Sequence, residues 1–196
     1  RRGDAFNNME ILRSEYGGDI VLHFRPLEYA ASRCGLAPVG GYGAEGDFSD
    51  PSERRSAAAV LAIDCPLDIV VAHEVGHLMG LTHSLREDGE GGTFDFATGY
   101  GIENQFATIM ALPAAFGTAA QAGVFSSPSL ACGDSRCGIA EGEAGASDAV
   151  SALNIVRHQI GRYSDSILGR LPARALKTLS GKPTKASIAI GASRDG

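Results

Sequence analysis

His73, Glu74, His77, Gly80 and His83 stand in the pattern His-Glu-x-x-His-x-x-Gly-x-x-His. Two histidines four residues apart on a helix leave from one face and can reach a common cation. Glu74 sits about 100° round the helix from His73, beside that cation rather than on it. It can therefore take a proton from an activated water instead of competing with the water for the metal. Gly80 permits the positive-φ turn that ends a helix and swings His83 back as a third ligand. Three imidazoles leave one tetrahedral position open, which marks a catalytic rather than a structural zinc site.

The elements that must hold these residues follow from the flanks. Ile69, Val70, Val71 and Ala72 before the motif, with Leu78, Met79 and Leu81 inside it, describe a buried helix, and Pro66 suits its start. Ionisable groups on a buried helix need partners, and a metal supplies one. A surface helix with scattered histidines would leave three of the five histidines within eleven residues unexplained. A strand over Ala57–Ile63 leads through Cys65 and Pro66 into this helix. Asp19–Phe24 is apolar and β-branched enough for a central strand, on which His23 is a strand-face residue rather than a ligand. Cys34–Tyr42 has strand-edge character, loosened by Gly40, Gly41 and Gly43.

Elsewhere, Asp4 caps a helix with Phe6, Met9, Leu12 and Tyr16 on one stripe, ended by Gly17 and Gly18. Glu45–Arg55 and Arg86–Gly92 read as polar loops. Thr93–Tyr100 alternates Phe94 and Phe96 with polar neighbours, as a short strand does. Ser147 caps a last helix whose apolar stripe is Ala149, Leu153, Val156, Ile160 and Tyr163, with His158 off it.

The chain has 196 residues, 44% of them hydrophobic, and a net charge of −6. That suits one catalytic unit over residues 1–165, followed by a basic Pro/Gly/Ala-rich extension over 166–196. The extension carries six basic residues against Asp195, a charge of +5 that leaves −11 elsewhere. An acidic body argues against nucleic acid as partner. No apolar run approaches the ~20 residues of a membrane span. The chain opens on Arg1, as a processed or trimmed product would. Its four cysteines allow three pairings. Cys132 and Cys137 enclose a short local loop, leaving Cys34 and Cys65 as the long-range pair. Beside a catalytic zinc motif, disulfides and export (secreted, extracellular or periplasmic) are favoured over four reduced thiols.

Ser-Arg-Cys-Gly-Leu-Ala at 32–37, Cys65 eight residues before His73, Gly99-Tyr100, Thr108-Ile109-Met110 and Phe125-Ser126-Ser127-Pro128 follow one another in that order. With the zinc motif they resemble the bacterial reprolysin-like metzincins, including the peptidyl-Asp metallopeptidase group, over about residues 5–163. The resemblance implies an α+β metzincin-like (zincin) fold, with a small mixed sheet, zinc helix, Met-turn and C-terminal helix. It implies that Met110, 27 residues after His83, lies under the histidines as a soft floor without bonding the metal, and that Cys34 pairs with Cys65. Two departures stand out. The first strand, backing helix and second strand of such domains are not found upstream of Asp19. Ala111-Leu112 follow the methionine where related enzymes carry a zinc-proximal tyrosine.

The reading is a zinc endopeptidase with one catalytic Zn²⁺ on His73, His77 and His83, Glu74 as general base, and a protein or peptide substrate. A structural calcium ion is left open by the sequence. An extended peptide is expected along the edge strand at Leu36 and Val39, and the S1′ wall between Leu112 and Phe116. The rivals are a zinc amidase or deacetylase, which the Met-turn disfavours, and an inactive metzincin-fold binding module, which an intact Glu74 disfavours. Because Asp19–Phe24 is apolar on both faces, it expects a neighbour at each edge. An N-terminal fragment of the same precursor is expected to supply one, with Ala186–Ile190 of the tail as the alternative.

Overall fold

Three strands form the sheet that carries the site: β1 (Val21–Arg25), β2 (Gly35–Leu36) and β3 (Ala58–Ala62), in the order β1-β3-β2. The computed structural model describes residues 11, 13, 15–27 and 33–164. The tail beyond them, Ala186–Ile190 included, and most of the helix expected from Asp4 lie outside the described residues; Ile11, Arg13, Glu15 and Tyr16 are helical.

The small, wholly apolar run of β3 is what a strand covered on both faces requires, and Ala59, Leu61 and Ala62 are buried there. β1 lies parallel to it, Val21 opposite Ala58 and Arg25 opposite Ala62, while β2 is antiparallel, with Gly35 opposite Leu61. The strand expected at the centre is therefore β1, at an edge among the described residues, and β3 takes the central place. Ile20 and Leu22 pack on Leu61 and Leu78 while His23 and Phe24 are exposed. Apolar content in this strand therefore fixed neither its full cover nor its place in the sheet.

Three other expectations change. Cys34–Tyr42 is a strand only at β2, because Gly41 and Gly43 take positive φ and turn the chain. Glu45–Arg55 is not all loop: Pro51–Ser56 is helix α1, started by Pro51 and by Asp50, which accepts from the Ser52 amide. It buries no residue, so it has no hydrophobic period to read. Thr93–Tyr100 contains no strand; Phe94 and Phe96 both turn inward and stack with centroids 5.1 Å apart, and Thr98 makes a single bridge to Thr82.

Helix α2 (Leu67–Leu78) follows β3 after a short turn. Val70 and Val71 face the sheet with Ala59, Leu61 and Leu78, while Ile69 and Ala72 pack on Leu81, Phe96, Ile109 and Met110. Cover on two sides explains a helix apolar nearly all round. Two small hairpins follow, β4 (Gly101–Ile102) with β5 (Phe106–Ala107), then β6 (Ser127–Cys132) with β7 (Ser135–Cys137). A 3₁₀ turn spans Pro113–Phe116, and α3 (Ala149–Ile160) closes the described chain. Asp148, not Ser147, caps α3, accepting from the Ser151 amide at 3.1 Å. Ser147 is buried instead in a hydroxyl network, 2.6 Å from Thr98 Oγ1 and donating to the Gly99 carbonyl. Ala149, Ala152, Val156 and Ile160 are buried along α3, and His158 is exposed.

All four cysteines are bonded, Cys34 to Cys65 and Cys132 to Cys137. Among the described residues no helix is long and apolar enough to cross a membrane. Small sheets, three helices and a histidine triad make this an α+β, metzincin-like fold.

Candidate active site

α2 brings His73 and His77 onto one face and ends where glycine lets it. Gly80 takes φ +87°, the Gly80 amide donates to His77 O and the Leu81 amide to Gly76 O, the paired bonds of a Schellman cap. A Cβ on Gly80 would meet the Thr93 side chain at 2.7 Å, so both conformation and space require glycine. The turn sends the chain back past the helix, and His83 arrives opposite the other two rings.

The three rings converge through one nitrogen each. His73 Nε2 is 3.1 Å from His77 Nε2 and 3.2 Å from His83 Nε2. Their Nδ1 atoms are already engaged. His73 donates to Ile109 O and His77 to Leu81 O, both at 2.8 Å, while His83 faces Asp88 Oδ2 at 3.0 Å. These outer partners fix each ring's tautomer and leave three Nε2 lone pairs aimed at one point. Nitrogens around a tetrahedral zinc at 2.0–2.1 Å lie about 3.3 Å apart, so the donor set fits that ion. Among the described residues it is the one His/Cys/Asp/Glu group so arranged. Burial lowers the pKa of His73, and that of His77 to about 4, keeping both rings neutral as ligands must be.

Glu74 lies beside the triad and is only 5% exposed. Its Oε2 is buried without a hydrogen-bond partner, and burial raises its pKa to about 7 against the weaker opposing pull of His83. A carboxyl group held near neutrality can both take and return a proton.

Met110 is fully buried, and a Cβ on Gly76 would lie 2.6 Å from its sulfur, so the methionine packs on α2 where glycine leaves it room. Around the site is a cleft of about 650 Å³, lined by Leu36, Val39, Ile69, Val70, Leu112 and Pro113, and by Arg33. Leu36 and Leu112 stand exposed at 57% and 51%. Phe116, expected on the same wall, lies elsewhere. It is buried with Ala107 and Ala111, under the Arg86 guanidinium, because the 3₁₀ turn folds it inward. A larger groove of about 1080 Å³ lies across the 89–95 segment and touches none of the site histidines.

Sequence reading missed the outer partners. Asp88 and Glu87 sit in what reads as an exposed loop, yet Asp88 also accepts the His83 amide, and Glu87 accepts from Ser84 and from the Leu112 amide. Asp88's separation from His83 is five residues, and that closeness was the one available signal.

Residues 3–143 match the model of the reprolysin-like family of M12B metallopeptidases. The chain belongs to that family. This reprolysin-like chain is 34% identical over 168 residues to a peptidyl-Asp metalloendopeptidase of Pseudomonas aeruginosa, an alignment covering 78% of this chain. It spans 27% of that relative's length. A chain in a solved chaperone–substrate complex superposes with a TM-score of 0.55 at 23% identity, covering 79% of the reprolysin-like chain and 22% of its own length. At that identity the likeness speaks for the fold alone.

Proposed function

We propose that this chain carries the catalytic centre of a zinc endopeptidase. The observation that carries the reading is the convergence of three Nε2 atoms whose Nδ1 atoms are all engaged elsewhere, beside a buried carboxylate whose Oε2 has no hydrogen-bond partner. His73, His77 and His83 hold the metal. Zinc bound there supplies Lewis acidity, which lowers the pKa of a water molecule toward about 7 and polarises a peptide carbonyl. Glu74 takes one proton from the attacking water and returns it to the amine nitrogen as the C–N bond breaks. Asp88, Ile109 and Leu81 keep the rings in register through the step.

The outer edge of β2, at Leu36, and Val39 beyond it flank the cleft, which supports binding of an extended peptide as an added strand. Leu112 supports one wall of the pocket for the residue after the scissile bond. An open strand edge beside the cleft also favours peptidase over small-molecule amidase or deacetylase. Arg33 has no ion pair among the described residues, which supports recognition of an acidic substrate side chain, in keeping with the peptidyl-Asp specificity named for the relative.

Two disulfides support an exported protein. The outer side of β1 carries no strand among the described residues, which supports pairing with an N-terminal fragment of the same precursor. Cross-linking mass spectrometry from Arg25 tests that pairing.

Casein digestion with and without a zinc chelator, and with Glu74→Gln, tests the main reading. Activity abolished by chelation, restored by zinc and lost in Glu74→Gln is expected. Chelator-insensitive activity, or none from a zinc-loaded folded chain, sinks it.

A further inference from the structure

Gly35 stands in β2 with a backbone outside the left-handed region. No turn calls for glycine there, and glycine inside a strand weakens it unless something approaches closely. What approaches is Glu74. A Cβ on Gly35 would lie 2.1 Å from Glu74 Oε1 and 2.5 Å from both its Cδ and Cγ. Three atoms of one side chain fill that space, so the whole carboxylate arm rests on bare backbone and not merely its tip.

Among the described residues no hydrogen bond holds the Glu74 carboxylate in place. Glu74 Oε2 is buried with no hydrogen-bond partner, so the arm's rotamer is set by shape. The neighbouring residue makes the shape rigid: Cys34 is bonded to Cys65, two residues before Leu67 opens α2. β2 is hydrogen-bonded to β3 as well, the Ala62 amide donating to Cys34 O at 2.8 Å. The disulfide thus fastens the strand, one residue from the contact, to the segment that leads into the helix carrying the carboxylate.

We propose that Gly35 is a positioning residue for the base: its absent side chain is the socket that holds the Glu74 carboxylate beside the three histidine nitrogens. The catalytic consequence rests on the general-base reading of Glu74; the packing does not. With a methyl group in the socket, Glu74 must leave its rotamer, since Cγ as well as Oε1 is blocked. A base displaced by an ångström or more loses much of its rate while substrate binding is spared.

Gly35→Ala tests this in the zinc-loaded protein. The variant is expected to keep stoichiometric zinc and KM within about threefold while kcat falls about ten- to a hundredfold. Carbodiimide labelling of Glu74, read by mass spectrometry on the same samples, is expected to rise several-fold as the carboxylate leaves its socket. Labelling and kcat both equal to wild type overturn the proposal. A loss of kcat accompanied by lost zinc or a large rise in KM also overturns it, because the role is then structural. Should Gly35→Ala fail to fold, Gly35→Ala/Glu74→Ala decides. It folds and melts like Glu74→Ala if the clash is with Glu74 alone, and a double variant that stays unfolded refutes the socket. If wild type cleaves nothing, the peptidase reading fails while the labelling and folding results still judge Gly35.

Discussion

The Nδ1–H of His73 donates to the carbonyl oxygen of Ile109 across 2.8 Å, tying the zinc helix to the residue immediately before Met110. The packing of Met110 on that helix thus has a polar counterpart. The same turn that buries the thioether against Gly76 presents the carbonyl that orients the first histidine. Met110→Ala should therefore cost stability about 2–5 kcal/mol through the cavity it leaves, and weaken zinc as the turn relaxes. Urea midpoints and chelator competition on one sample measure both. Unchanged zinc affinity beside a large stability loss would mean that the floor is only core.

Asp88 holds His83 from Nδ1 and from its amide. Asp88→Ala is expected to lower zinc affinity about 10–100-fold, the usual effect of removing a ligand's outer partner. His83→Ala removes the ligand itself and should abolish stoichiometric zinc. Metal analysis after dialysis separates the two, and zinc retained by His83→Ala would refute the three-histidine site.

Glu74 makes a pH signature in the metal-free protein. Its folded pKa, about 7, lies above the 4.5 of the free group. Between those values the folded state binds more protons than the unfolded one, so stability from this group falls as pH rises through the window. Glu74→Gln does not titrate. It should gain on wild type from about pH 4.5 to 7, by up to about 3 kcal/mol, and run parallel above. Denaturant midpoints at several pH values, compared between the two proteins, read the difference. A constant gap would mean that the carboxyl group is not buried as described.

The two disulfides close loops of unequal length, 31 residues for Cys34–Cys65 and 5 for Cys132–Cys137. On loop entropy, removing the first by a double Cys→Ser change should cost about 3–4 kcal/mol and the second about 2 kcal/mol. The first should also lower kcat, because it fastens β2 beside Glu74. Melting curves and casein turnover of the two double variants give the comparison.

The metal site was legible because its chemistry is local. His73, Glu74, His77, Gly80 and His83 lie on one helix and its cap, where a 3.6-residue period and one positive-φ glycine dictate which side chains meet. Residue order alone therefore specified which three imidazoles converge and that Glu74 lies beside them. Tertiary structure alone decided what surrounds them. That Asp88 and Ile109 orient two of the rings, that Phe116 turns inward while Leu112 stays at the cleft, and that Gly35 gives Glu74 its room all depend on chain segments meeting across space. No period or spacing encodes such meetings. A strand's apolar content told neither whether β1 or β3 stands in the middle nor that one face of β1 leaves Phe24 exposed, because cover and neighbours come from segments distant in the chain.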